Sequence, residues 1–128
     1  MFDEDKINEG IRIIIYNLGN YKIGEKLCII TDKNNLEVGR LFFEFSRKNN
    51  INVKYLVINE LKIHGEEPPK NVVDNMNNSN LIIGLTKFSM AHSKARIMAE
   101  NKGNRYLSLA DYSKRNLIDD SLRENFLK

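Results

Sequence analysis

Apolar residues recur along this chain in two rhythms, one near 3.6 residues and one of short unbroken runs, and their alternation predicts the elements. Ile7, Ile11, Ile14, Ile15 and Leu18 fall on one helical face, behind Asp3, Glu4 and Asp5, where a helix N-terminus favours negative charge. The spacing predicts an opening helix over 3–18. After the punctuation GNYKIG, Leu27 to Thr31 reads as a first strand and Asp32 to Asn35 as a turn. Val38, Leu41, Phe42 and Phe45 mark a second helical face, closed at Asn49-Asn50 because Asn tolerates the left-handed cap. Val53 to Ile58 is a second strand, followed by a long loop from Asn59 to Lys70 and a helix carrying Val72, Val73 and Met76.

From Asn80 to Asp111 the chain reads strand, loop, helix, strand. Leu81, Ile82, Ile83 and Leu85 make the kind of apolar run that a strand covered on both faces requires. Ser89 is placed as N-cap of the helix, with Ala91, Ala95 and Met98 at helical spacing and Gly103 at its left-handed end. Arg105 to Ala110 starts a fourth strand, and Ser113 caps a last helix with Leu117, Ile118, Leu122 and Phe126 on its apolar face. Strands that alternate with helices must pair in parallel, since a crossover helix returns the chain to the same end of the sheet. The expected fold is therefore α/β, a three-layer open parallel sheet of four strands in the order 2-1-3-4, one domain over residues 1–128. Ligands of such sheets bind outside the carboxyl ends of the strands, near the reversal of strand order. Thr31, Asp32, Glu60 and residues 86–96 are thereby expected on one rim.

Composition narrows the class more than the chemistry. At 128 residues, with 41% hydrophobic and 29% charged content, the chain has the balance of a soluble globular domain, and no apolar run approaches the ~20 residues that span a bilayer. Its acidic start, MFDEDKINEG, is unlike a secretory signal, so a cytoplasmic location is expected. Cys28 is the single cysteine and lies in an apolar segment, which favours a buried, inert thiol over a nucleophile. The formal charge is +3, but basic and acidic residues interleave, and Arg47-Lys48 and Lys114-Arg115 each have one aromatic nearby. That pattern argues against nucleic acid.

Most site chemistries are missing their residues. TDKNNLEVG after the first strand is no dinucleotide-binding glycine loop, and no Walker A loop occurs. His64 and His92 are the only histidines, too few for a His-based zinc set, and no Gly-x-Ser-x-Gly elbow presents Ser89 to His92. An anion site is the best positive reading: Thr86, Ser89, His92 and Arg96 gather near a strand end and a helix start, where free amides suit a carboxylate or phosphate. The structural alternative weighs more. In it Ser89 caps, His92 bonds a neighbouring loop, and Arg96 pairs with Glu66 or Glu67.

The segments HGEEPP (His64 to Pro69), LIIGLTK, SMAHSKAR (Ser89 to Arg96) and GNRYLSL (Gly103 to Leu109) together resemble the N-terminal domain of the aminopeptidase T-like (thermophilic leucyl aminopeptidase) metallopeptidases. The resemblance runs over nearly the whole chain, and Glu67-Pro68-Pro69 and Ser89-x-x-His92-x-x-x-Arg96 carry it most specifically. The chain departs from the pattern at Ser79-Asn80 and at Ala110, where a small residue with Asp, and a proline, are expected. The resemblance implies a Rossmann-like or flavodoxin-like domain ahead of a larger C-terminal one. It also implies that the paired divalent metals and their ligands belong to that second domain. No catalytic residue, metal ligand or cofactor is therefore assigned to this chain, and His64, Glu66 and Glu67 are read as a family-motif loop. Iron dioxygenases of the same architecture leave the parent reaction open.

The expected role is a non-catalytic N-terminal domain, as a fragment or a short stand-alone relative, of a metal-dependent leucyl aminopeptidase-like hydrolase, packing on a C-terminal catalytic domain or another protein chain, with a homodimer as a further option. The alternative is a stand-alone small-molecule module that holds an anion at Ser89, His92 and Arg96.

Overall fold

Strands β1 (Lys26–Thr31), β2 (Asn52–Val57), β3 (Leu81–Leu85) and β4 (Arg105–Ser108) form an all-parallel sheet ordered 2-1-3-4 in the computed structural model, which describes residues 3–124. This is the α/β architecture that the alternating pattern predicts. The register sets Cys28 beside Lys54 and Ile82, and Ile83 beside Leu107. β3 is buried along its whole length and β1 from its second residue onward, whereas β2 and β4 are half-exposed edges. The central strands are apolar runs because helices cover both their faces.

Helices α1 (Glu4–Arg12) and α2 (Leu36–Lys48) are the long pieces on one face. There Ile11, Ile14, Ile15 and Phe42 meet Leu27, Ile29, Leu81 and Ile83. Helices α3 (Lys70–Asn77) and α4 (Lys94–Asn101) cover the other face, where Val72, Met76, Met90, Ala95 and Ala99 meet Cys28, Ile30 and Ile82. Burial pushes the Cys28 thiol up to about 12, so it sits as a neutral, inert group. Asn50 and Gly103 take the left-handed conformation just past α2 and α4, at φ 59° and 89°, as their helix-ending positions require.

The structure corrects the expected elements in several places. The opening helix does not run regularly to Leu18: Ile13–Leu18 is a widened π turn, in which the Gly19 amide donates to Ile14 O, five residues back, at 2.8 Å. The extra residue per turn rotates Leu18 off the buried stripe and leaves it 43% exposed. Ser89 is not the cap of α4. That helix starts one turn later, with Ser93 as N-cap accepting from the Arg96 amide at 3.2 Å. Met98 accordingly lies 49% exposed, and the buried stripe is Ala95 and Ala99. The expected last helix is two short ones, α5 (Lys114–Leu117) and α6 (Asp120–Glu124). Ser113 does stand at the first cap, its amide and hydroxyl both donating to Asn116 Oδ1. Leu117 is buried, and Ile118 and Leu122 pack against the same cluster. Phe126 lies outside the described residues. No helix among the described residues is long and apolar enough to cross a membrane.

Candidate functional site

The carboxyl rim of the sheet is where this topology places ligands, so each polar group there needs a partner. At the reversal between β1 and β3, Asp32 is fully buried. Its Oδ1 accepts from the Asn34 amide and the Asn35 side-chain amide, both at 3.0 Å, and its Oδ2 accepts from the Lys87 amide at 2.8 Å. Thr31 adds a second tie, its hydroxyl donating to Leu85 O at 3.0 Å. Asp32 thus bridges the ends of the two central strands across the crevice that a ligand would otherwise enter. A buried carboxylate survives only when its lone pairs are met, and backbone and amide donors meet them here.

The loop after β2 folds over the rim between two buried anchors, Leu61 and Pro68. Lys87 and Glu60 pair at 3.8 Å at its start. Further along, the Ser89 amide donates to His64 Nδ1 at 2.8 Å, the Gly65 amide donates to Ser89 O at 2.7 Å, and the His64 ring stands edge-on to Phe88 at 5.0 Å. Glu66 accepts from the Lys62 amide within the loop at 2.6 Å. Glu67 reaches the start of α4, where its two oxygens accept from the Lys94 amide at 2.6 Å and the Ala95 amide at 3.1 Å. The next amide, of Arg96, goes to Ser93 Oγ, and that of Ile97 to Ser93 O at 3.3 Å. Every orphan amide of the α4 N-terminus is therefore satisfied from within the chain, and the charge favoured there is Glu67.

The remaining predicted residues are distributed around this clasp. Thr86 is buried, its hydroxyl donating to Phe88 O at 2.6 Å. The Ser89 hydroxyl accepts from the Ala91 amide and shares a hydrogen bond with Ser108 Oγ, both at 2.9 Å. His92 is exposed beside Gly65. Arg96 pairs with Glu100 one turn along its own helix, not with Glu66 or Glu67. The structure thus joins His64 and Glu67 to the segment from Ser89 to Ala95, and it turns Arg96 to a different partner.

Two residues at this rim escape the sequence reading. Ser93 is the true cap, readable only if the helix is allowed a short stripe of Ala95 and Ala99. Tyr106 fills the space over Gly84, where a β-carbon would stand 2.6 Å from the Tyr106 hydroxyl. That hydroxyl is buried beside Met90 O and Ser108 without a well-formed hydrogen bond, and burial pushes the phenol well above its ordinary range. Nothing local in RYLS marks it.

No protein-family model matches this chain, and no curated protein matches it. Among solved structures, wild-type AmpT (aminopeptidase T) from Thermus thermophilus superposes with a TM-score of 0.53 at 8% identity, over 90% of this chain. The likeness is one of fold. It spans 41% of AmpT, so the chain matches well under half of that protein's length. No group of three or more His, Cys, Asp or Glu side chains among the described residues is placed to hold a metal ion.

Proposed function

We propose that this chain is the non-catalytic N-terminal α/β domain of a metal-dependent leucyl aminopeptidase-like hydrolase, which removes N-terminal residues from peptides. It packs against a C-terminal catalytic domain and helps to shape the substrate entrance. The observation that carries this reading is the asymmetric likeness to AmpT, covering 90% of this chain and 41% of that protein. The rim supports it, since the positions where such a sheet would hold a ligand are filled by Asp32 and Glu67. The divalent metal belongs, on this reading, to the catalytic domain, and the site of action is the cytoplasm.

The test is an immunoprecipitation of the native protein from its source cells with an antibody against this domain, followed by an assay on leucyl-p-nitroanilide. The expected result is chelator-sensitive hydrolysis in the precipitate and none by the isolated 128-residue chain. Hydrolysis by the isolated chain, or an inactive precipitate at every divalent metal supplied, overturns it. The anion-module alternative makes the opposite prediction for stability: phosphate or a small carboxylate raises the melting temperature of the isolated chain according to RT ln(1 + [L]/Kd). The amides that such a ligand needs are already bonded to Glu67, which weighs against that reading.

A further inference from the structure

The clasp over the rim is made of contacts that depend on protonation. A backbone amide can only donate, so the 2.8 Å contact from the Ser89 amide fixes His64 Nδ1 as an acceptor, and a protonated imidazole has no acceptor nitrogen. Glu67 likewise receives two amides, of Lys94 and Ala95, through both carboxylate oxygens, an arrangement suited to the ionised form. Residues 62–67 have little else to hold them. They lie between the buried anchors Leu61 and Pro68, and Ile63 in their midst is 64% exposed.

We propose that residues 62–67 are a pH-sensitive strap, closed over the carboxyl rim when His64 is neutral and Glu67 ionised, and released when His64 takes up a proton. Protonation turns the acceptor at Nδ1 into a second N–H facing the Ser89 N–H, so the contact becomes repulsive. The Gly65 amide that pairs with Ser89 O loses its register with it. The charged and titratable groups around His64 come from both sides of the clasp: Lys62, Glu66 and Glu67 on the strap, and Lys87, His92 and Lys94 on the facing segment, with Glu60 paired to Lys87 at the base. Lys87 also stands 5.6 Å over the Phe88 ring against which His64 packs. The inference is independent of the aminopeptidase reading.

The test is amide hydrogen exchange on the full chain between pH 7.5 and 5, expressed as protection factors, alongside the proton titration of His64 followed by NMR. The Ser89 and Gly65 protection factors are expected to fall by about tenfold or more with the same midpoint as His64, while the β3 amides stay protected. His64→Asn places an amide oxygen near the position of Nδ1 that accepts at every pH, and is expected to keep Ser89 protected and to abolish the pH dependence. Unchanged protection across the His64 titration overturns the proposal. So does the same pH dependence in His64→Asn, or a simultaneous loss at β3, which is global unfolding.

Discussion

The two faces of the sheet are built to different standards. The face under α1 and α2 is closed by large side chains, with Ile11, Ile14, Ile15 and Phe42 fully buried against the odd-numbered residues of β1 and β3. The face under α3 and α4 is thinner. Its helices have eight residues each, its stripe includes Ala95 and Ala99, and Gly84 leaves a gap that Tyr106 fills. At its carboxyl end the apolar packing of Ile58, Leu61 and Met90 is topped by the polar contacts of the strap. One face therefore carries most of the hydrophobic stabilisation, and the other carries whatever can move, since local opening is easiest where few apolar contacts must break.

The largest expected effect is on the thick face. Phe42→Ala should cost about 3–5 kcal/mol, read as a fall in urea midpoint at unchanged m-value, because the side chain is fully buried within the larger core cluster. Ala95→Gly on the thin face should cost roughly 1–2 kcal/mol, from helix propensity and one lost methyl. Equal costs would break the comparison. Next in size is Gly84→Ala, whose new methyl carbon would stand 2.6 Å from the Tyr106 hydroxyl, for an overpacking cost of about 1–3 kcal/mol. Tyr106→Phe removes both the obstacle and a buried hydroxyl that lacks a well-formed hydrogen bond, so it should recover most of that loss in the double variant. Additivity of the two changes would show that Gly84 and Tyr106 are not coupled.

The smallest effect concerns the ion pair that ties the start of β4 to the turn before β1. Arg105 bonds Glu25 through two nitrogens, at 3.1 and 2.5 Å, and also donates to Gly19 O at 2.8 Å. The Arg105 guanidinium holds the Glu25 carboxyl below the usual carboxylate range. A group whose folded-state value is depressed contributes stability that is present above its unfolded value and lost as pH falls through the folded one. Arg105→Gln should therefore lower stability near pH 7 by no more than about 1 kcal/mol, given the exposure of both partners, and by less as the pH drops below 4. Thermal melts at pH 7 and 3 separate this from a pH-independent loss of packing.

The elements were legible because their signals are local. The strand order follows from four strands alternating with helices, and the faces of β1 and β3 follow from apolar runs with no polar interruption. Legibility failed where a local signal had two readings. Ser89 and Ser93 are both serines before a helix with apolar residues behind them, and Ser93 wins because Ser89 is held by His64 and Ser108 outside helical geometry. The π turn at Ile13–Leu18 was invisible, since five apolar residues in six satisfy either a regular or a widened helix. At the rim, the sequence offered an anion seat and, weighing more, a structural reading in which Arg96 pairs with Glu66 or Glu67; the fold gives the helix amides to Glu67 and turns Arg96 to Glu100.

What the sequence determined by itself is the class, the order of elements and the buried runs of the central strands, because periodicity and helix stops act over a few residues. What only the tertiary structure decided is which polar groups meet. Glu67 and the α4 amides are 27 and 28 residues apart, and His64 and the Ser89 amide 25 apart. Contacts of that span depend on how the loop after β2 crosses the ends of the strands, a geometry set by the packing of the whole sheet and by no pattern within either segment.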